Sequence, residues 1–229
     1  MVLDQIMNTY RFSFSDTTLE ALPTGALWWP AAGTLVVSDL HLGKSERIAR
    51  RGGALLPPYD VDETLGKLED DLEATGPQTV ICLGDSFDDL AAADELNPAH
   101  ADWLTRLQAR RRWIWVEGNH DPGPSGLRGS HLSEYARAPL VFRHIARPER
   151  PGTGEVSGHY HPKCGLSLRG GRKVSRACFL MDSQRLILPA YGAYTGGLRC
   201  QSPPLRDMMG RDAQAILTGR QPCAIPMPR

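Results

Sequence analysis

Trp113-Ile114-Trp115-Val116-Glu117-Gly118-Asn119-His120-Asp121 is the stretch on which the reading of the chain turns. Its first four residues form a continuous apolar run of aromatic and β-branched side chains, which reads as a buried strand leaving a core. The turn after it is odd. Asn, Asp and Gly serve turns for backbone reasons, but the imidazole between them has no such use. An amide, an imidazole and a carboxylate in succession at a strand end are the groups of a chemical site.

Working outward, the same plan recurs. The buried strand Thr34-Leu35-Val36-Val37-Ser38 ends at Asp39-Leu40-His41-Leu42-Gly43-Lys44, and Thr79-Val80-Ile81-Cys82-Leu83 ends at Gly84-Asp85-Ser86-Phe87-Asp88-Asp89. Leu140-Val141-Phe142-Arg143-His144 reads as a strand ending in a histidine, and Glu155-Val156-Ser157-Gly158 leads into His159-Tyr160-His161-Pro162. On extended chain, residues two apart point the same way. That spacing aims Asp39 with His41, and His159 with His161, while Leu40, Leu42 and Tyr160 turn away. Carboxylate oxygens and imidazole nitrogens so placed suit a divalent metal such as Mn, Fe or Zn. Asp88 and Asp89 could assist Asp85, but their first reading is as N-caps of a following helix. Between His144 and its competitor His131, the strand-end position favours His144. His100, inside a helical stretch, reads as a surface residue.

The intervening elements are ordinary. Tyr10–Phe14 alternates as a half-buried strand with Ala26–Trp29 as its hairpin partner. Ser45–Arg51 reads as a basic helical stretch. From Asp60, the spacing Val61, Leu65, Leu68, Leu72 predicts a helix ending near Gly76-Pro77. Pro98–Arg112 predicts another, whose Arg110-Arg111-Arg112 end suits the negative pole of the helix dipole. A loop follows Asp121, strands are expected at Ala177–Met181 and Arg185–Leu188, and a last helix at Asp212–Leu217. The glycine-rich Leu188–Gly197 has no phosphate-loop ending and reads as a structural turn.

Composition sets the bounds. At 229 residues, 41% hydrophobic and 23% charged, the chain fits one globular domain over residues 1–229. It has no apolar run long enough for a membrane span, and Met1–Tyr10 has no signal-peptide pattern, so a cytoplasmic protein is expected. The five cysteines are scattered without a CxxC pair, which argues against a disulfide framework and a zinc ribbon. Residues 1–121 carry 20 acids and 10 bases, about −10, and residues 122–229 carry 6 acids and 16 bases, about +10. A basic rim beside an acidic centre is what a phosphate-bearing substrate would meet.

Taken together, Asp39, His41, Asp85, Asn119, His144, His159 and His161 lie at or just past strand ends, where open α/β sheets gather their sites. The blocks Asp39-x-His41, Gly84-Asp85, Gly118-Asn119-His120-Asp121, an isolated His144 and Gly158-His159-x-His161 resemble the calcineurin-like metallophosphoesterase superfamily, in family order. The phrases Ser38–Lys44, Leu83–Phe87, Gly158–Pro162 and Leu188–Gly197 further look like the bacterial ligase-associated DNA damage response endonucleases of the PdeM type.

That resemblance implies an α/β fold, a four-layer α-β-β-α sandwich of two mixed sheets, holding two divalent metal ions, foremost Mn2+, with Fe or Zn as alternatives. Asp39, His41 and His161 would hold the first metal, Asn119, His144 and His159 the second, and Asp85 would bridge them. It implies hydrolysis of phosphodiesters by a bridging hydroxide, with His120 as general acid and Asp121 bonded to the other nitrogen of its ring. Lys44 and Arg143, beside ligands, are candidate phosphate contacts. DNA would be the substrate, in repair beside a ligase and a helicase. The alternatives are a phosphodiesterase or phosphatase acting on cyclic nucleotides or other small phosphoesters, and a non-catalytic scaffold on the same fold. A protein serine/threonine phosphatase is disfavoured, because Asp121 rather than Glu follows His120 and no Arg follows Gly84-Asp85.

Overall fold

The structure, a computed structural model, describes residues 8–45, 48, 59–88, 96–123, 126–149, 152–167 and 170–229. Two sheets lie at its centre. The first runs in order β1 (Tyr10–Phe14), β2 (Thr17–Ala21), β3 (Leu27–Trp29), β4 (Thr34–Val37), β5 (Thr79–Leu83), β6 (Arg112–Val116), β7 (Ser130–Leu132). It is antiparallel through β4 and parallel from β4 to β7. The second is ordered β15 (Cys223–Pro226), β14 (Gln214–Leu217), β12 (Lys173–Met181), β13 (Arg185–Ile187), β10 (Gly154–Ser157), β9 (Leu140–Phe142), β8 (Tyr135–Arg137). There β13, β10 and β9 are parallel, and β11 (Lys163–Ser167) pairs with β12.

Three apolar clusters define the layering. One joins Phe12, Val36, Ile81 and Ile114 of the first sheet to Phe142, Val156, Phe179 and Ile216 of the second. Another packs Leu35, Val37, Val80 and Trp113 against helices α1 (Asp60–Thr75) and α2 (Pro98–Gln108) through Val61, Leu65, Leu68, Leu72, Leu104 and Leu107. A third sets Leu180, Ile187 and Ala215 against Leu205 of α3 (Pro203–Met208). Alternate residues of each strand face opposite cores, and the result is the expected helix–sheet–sheet–helix sandwich. Both parallel blocks present carboxyl ends from which the candidate residues emerge.

Several local expectations change. The partner of β1 is β2, and Leu27–Trp29 pairs with β2 instead, because Ser15 and Asp16 at positive φ make a tight turn directly after Phe14. The expected helix at Asp212–Leu217 is strand β14, between β12 and β15, where Ala215 and Ile216 are buried on opposite faces. Asp60 is the first residue of α1, and its carboxylate accepts from the Ser45 N–H at 3.2 Å. Most of Ser45–Arg51 lies outside the described residues.

Candidate metal centre

Strands β4 and β5 stop, but their pairing does not. The N–H groups of Asp39, His41 and Leu42 donate to the carbonyls of Gly84, Asp85 and Ser86 at 3.2, 2.9 and 3.0 Å. Over this run Asp39 has φ 55°, His41 46° and Asp85 46°, and across the site His159 has 69° and His161 45°. All five are left-handed, a region in which Asp and His are among the few tolerated non-glycine residues. The expected convergence of alternate residues therefore occurs, but by backbone twist rather than by strand pleat. Such conformations persist only where the surroundings enforce them. Enforcement comes partly from the second half of the chain, since the Tyr191 and Gly192 N–H groups bond the Ser38 and Asp39 carbonyls at 2.7 and 3.0 Å.

Two groups of candidate ligands result: Asp39, His41 and His161, and Asp85, His144 and His159. Within each, the donor atoms lie within 4.8 Å of one another. The groups adjoin, with His144 Nδ1 3.9 Å from Asp39 Oδ1 and the His159 N–H donating to Asp39 Oδ2 at 3.0 Å. Asn119 Oδ1 is 2.8 Å from His144 Nε2, which also lies 3.3 Å from Asp85 Oδ2 and 3.2 Å from His159 Nδ1. Glycine permits this closeness. A Cβ on Gly84, whose φ is +73°, would lie 2.6 Å from the His144 ring, and one on Gly118 would lie 2.1 Å from the Asp85 nitrogen.

Ring tautomers test whether a cation fits. His144 Nδ1 faces the Leu83 carbonyl at 2.8 Å, and His41 Nδ1 faces Asp88 Oδ1 at 2.8 Å. Both partners only accept, so each Nδ1 carries the proton, and Nε2, which bears the lone pair in the neutral form, faces inward. His41 Nε2 and His161 Nε2 are buried without a hydrogen-bond partner, the latter 3.1 Å from Asp39 Oδ1. Lone pairs of Asn119, Asp85 and His159 crowd His144 Nε2 in the same way. Lone pairs converging from mixed O and N donors, each ring fixed from behind, are what a divalent cation satisfies.

The charges of these side chains bear on one another. Burial opposes ionisation of Asp85, yet its hydrogen bond and charge interaction with His144 and the His120 N–H hold the carboxyl far below the usual range. Burial likewise opposes charge on His144, but Asp85 and Asp39 raise its pKa. His159 moves down through burial and the charge of His144. Beside the centre opens a cavity of about 600 Å³ lined by Asn119, His144, Arg143 and Arg147.

The family described as calcineurin-like phosphoesterase matches residues 33–180, from β4 through β12, and so takes in every candidate ligand. The chain belongs to the calcineurin-like phosphoesterases. A solved structure, that of Pseudomonas putida nuclease MPE, is similar to this phosphoesterase with a TM-score of 0.73 and 28% identity. The similarity covers 94% of this chain and 100% of that one. It agrees with the PdeM-like character read from the motifs. No curated protein matches the sequence significantly. The phosphoesterase is thus a metal-dependent enzyme of a family that uses two divalent cations, in accord with its two ligand groups.

The structure redistributes several side chains of the phosphoesterase. Asp121 does not bond the His120 ring. Its carboxylate accepts from the N–H groups of Asp85, Ser86, Phe87 and Gly118 at 2.9, 2.8, 3.2 and 3.1 Å, because the loops after β5 and β6 turn those donors inward with no strand to receive them. The His120 ring is oriented instead by the Asp88 carbonyl, 2.9 Å from Nδ1. Arg143 is buried and paired with Glu155 and Glu134, the latter at 3.0 Å, so its charge is answered within the fold rather than offered to phosphate. Lys44 Nζ stands 3.9 Å from Asp88 Oδ1, close to the centre. His131 stacks on Trp115 in β7, outside the ligand groups, and His100 bonds Asp62 at 3.0 Å, tying α2 to α1. Asp88 is the residue underread: it is fully buried and orients both His41 and His120, while the helix it was expected to cap falls outside the described residues. Its only sequence signal was a second carboxylate three residues after Asp85. Asp89 lies outside the described residues.

Proposed function

We propose that the phosphoesterase hydrolyses phosphodiester bonds of DNA, with Asp39, His41 and His161 holding one divalent cation and Asp85, Asn119, His144 and His159 the other. The observation that carries the chemistry is the pair of adjoining ligand groups, with the His120 ring 5.3 Å from that of His41. Two cations there supply charge that polarises a phosphate ester and neutralises its oxygens. Manganese is the cation that the resemblance to the PdeM-type endonucleases implies, and the mixed donor set suits iron or zinc as well. His120 performs the step that belongs to the chain itself. Its Nδ1 donates to the Asp88 carbonyl, so a proton on Nε2 requires the imidazolium form. That proton goes to the departing alkoxide.

DNA is favoured as the substrate by the likeness to a nuclease over nearly the whole chain and by the basic second half. The PdeM-like motifs extend the reading to repair beside a ligase and a helicase, in the cytoplasm. The second reading is hydrolysis of small diesters such as cyclic nucleotides, since every catalytic residue would be shared. Rates on single-stranded, duplex and nicked DNA, a cyclic nucleotide and an activated aryl diester, with manganese, separate the two. Cleavage of small diesters but of no DNA would overturn the DNA reading. His120→Ala is expected to slow substrates with poor leaving groups by about 10²–10⁴-fold while two metals stay bound; loss of metal instead would refute the proton-donor role.

A further inference from the structure

At the amino ends of β6 and β7, opposite the metal centre, lies a cavity of about 420 Å³ lined by Arg106, Arg110, Arg111, Arg128, Trp113 and Gln108. Arg106 comes from α2, Arg110 and Arg111 from the turn after it, and Arg128 from the segment entering β7. The helix dipole accounts for basic residues at the end of α2 but not for Arg128, which arrives from elsewhere in the chain. That segment is fastened in place. Gln108 Nε2 and Trp115 Nε1 both donate to the Arg128 carbonyl, at 2.7 and 3.0 Å. Gly129, at φ +129°, lies so close that a Cβ there would be 2.9 Å from the Trp113 carbonyl.

The cavity beside the metal centre also has arginines, but Arg143 and Arg147 there both pair with Glu134. None of the four arginines around the distal cavity has an acidic partner among the described residues. Arg106, Arg110 and Arg128 are exposed, and Arg111 is tied only to the Leu107 carbonyl at 2.9 Å. Four guanidinium forks around one concavity, without an acid beside them among the described residues, make a positive potential that a multiply charged anion would answer. Their planar donor geometry matches phosphate oxygens.

We propose that this cavity binds backbone phosphates of the nucleic-acid substrate at a distance from the bond that is cut. The proposal rests on the DNA reading above. From Arg112 the chain runs along β6 to Val116 and on to Asn119, seven residue steps and at most about 23 Å at strand rise. That is at most about seven steps of a DNA strand at 3.4 Å each.

The test compares wild type with R106A/R110A/R128A, and with Arg110→Gln and Arg128→Gln singly in case the triple variant folds poorly. Initial rates with manganese are taken on a labelled duplex and a labelled single strand, from about 50 to 200 mM salt, with an activated aryl diester as control. The triple variant is expected to raise KM for DNA by about tenfold or more and to flatten its salt dependence by about 2–3 in log–log slope, about 0.7–0.9 for each phosphate no longer neutralised. Each single variant should show a proportionate part. Hydrolysis of the aryl diester should not change. Wild-type KM and salt slope on DNA in variants that still cleave the aryl diester would overturn the site while leaving the DNA reading intact. A wild-type enzyme that cleaves the aryl diester but neither binds nor cuts DNA would overturn both.

Discussion

Asp88 shows how much of this centre depends on residues that never touch a substrate. It is fully buried, its carboxylate holds the His41 tautomer, and its carbonyl holds the His120 tautomer. Asp88→Asn can present either an oxygen or an NH₂ to His41. The NH₂ would force the ring to reverse its tautomer and lose the inward lone pair. Partners of metal-bound histidines typically contribute about 10–100-fold in affinity, so manganese affinity of Asp88→Asn, measured by titration, should fall by about that factor. Unchanged affinity would mean that the His41 ring is fixed by its packing against His120 and His161 alone. The candidate ligands were legible because each follows an apolar strand, two pairs of them at i, i+2 spacing. The roles of Asp88 and Asp121 were not, because they depend on which donors a loop turns inward, and no periodicity encodes that.

At the level of elements, the carboxyl-terminal glycine-rich segment is tied to α1. Tyr191 OH and Thr24 Oγ1 donate to Asp71 Oδ2 at 2.8 and 2.7 Å, and Lys67 Nζ lies 4.0 Å above the Tyr191 ring. Through the neighbouring N–H groups the same segment holds Ser38 and Asp39. Burial raises the Asp71 pKa from its ordinary value of 3.8, against the hydrogen bonds from Thr24 and Tyr191 and the charge of Lys67. A raised folded pKa favours the fold below the unfolded value, and that contribution is lost as pH rises through the folded one. Asp71→Asn is neutral throughout and keeps an acceptor oxygen. Its urea midpoint should exceed that of wild type at about pH 7, with the advantage shrinking toward about pH 4. A variant weaker near neutrality would show that attraction to Lys67 outweighs burial. The strands that lead into the site were legible from apolar runs, whereas β7, β8, β11 and β15 were not read. Nor was β2, since Thr17–Ala21 carries two threonines and a glutamate where an apolar run was sought, and β14 was read as a helix because four residues do not separate the two periods.

Across the whole molecule, the candidate ligands divide between the sheets: Asp39, His41, Asp85 and Asn119 follow strands of the first, and His144, His159 and His161 follow strands of the second. A cation held by both groups would fasten two halves that otherwise meet through one apolar interface. Saturating manganese should therefore stabilise the fold by about 3 kcal/mol at a hundredfold excess over Kd, which for a chain of this size raises Tm by about 5–10 °C. Scanning calorimetry with chelator and with manganese measures it. An unchanged Tm would show that no cation is bound between the sheets.

The five left-handed positions carry a wider consequence. Glycine would adopt those angles without the clash that a Cβ brings, about 1–2 kcal/mol per residue before its own entropy is counted. Glycine at Asp39, His41, Asp85, His159 and His161 would relieve that backbone clash, and would also remove the side chains whose grip on a cation joins the two sheets. This centre thus marks where hardiness was given up for reactivity, and a thermostabilised variant should be sought anywhere in the molecule but here.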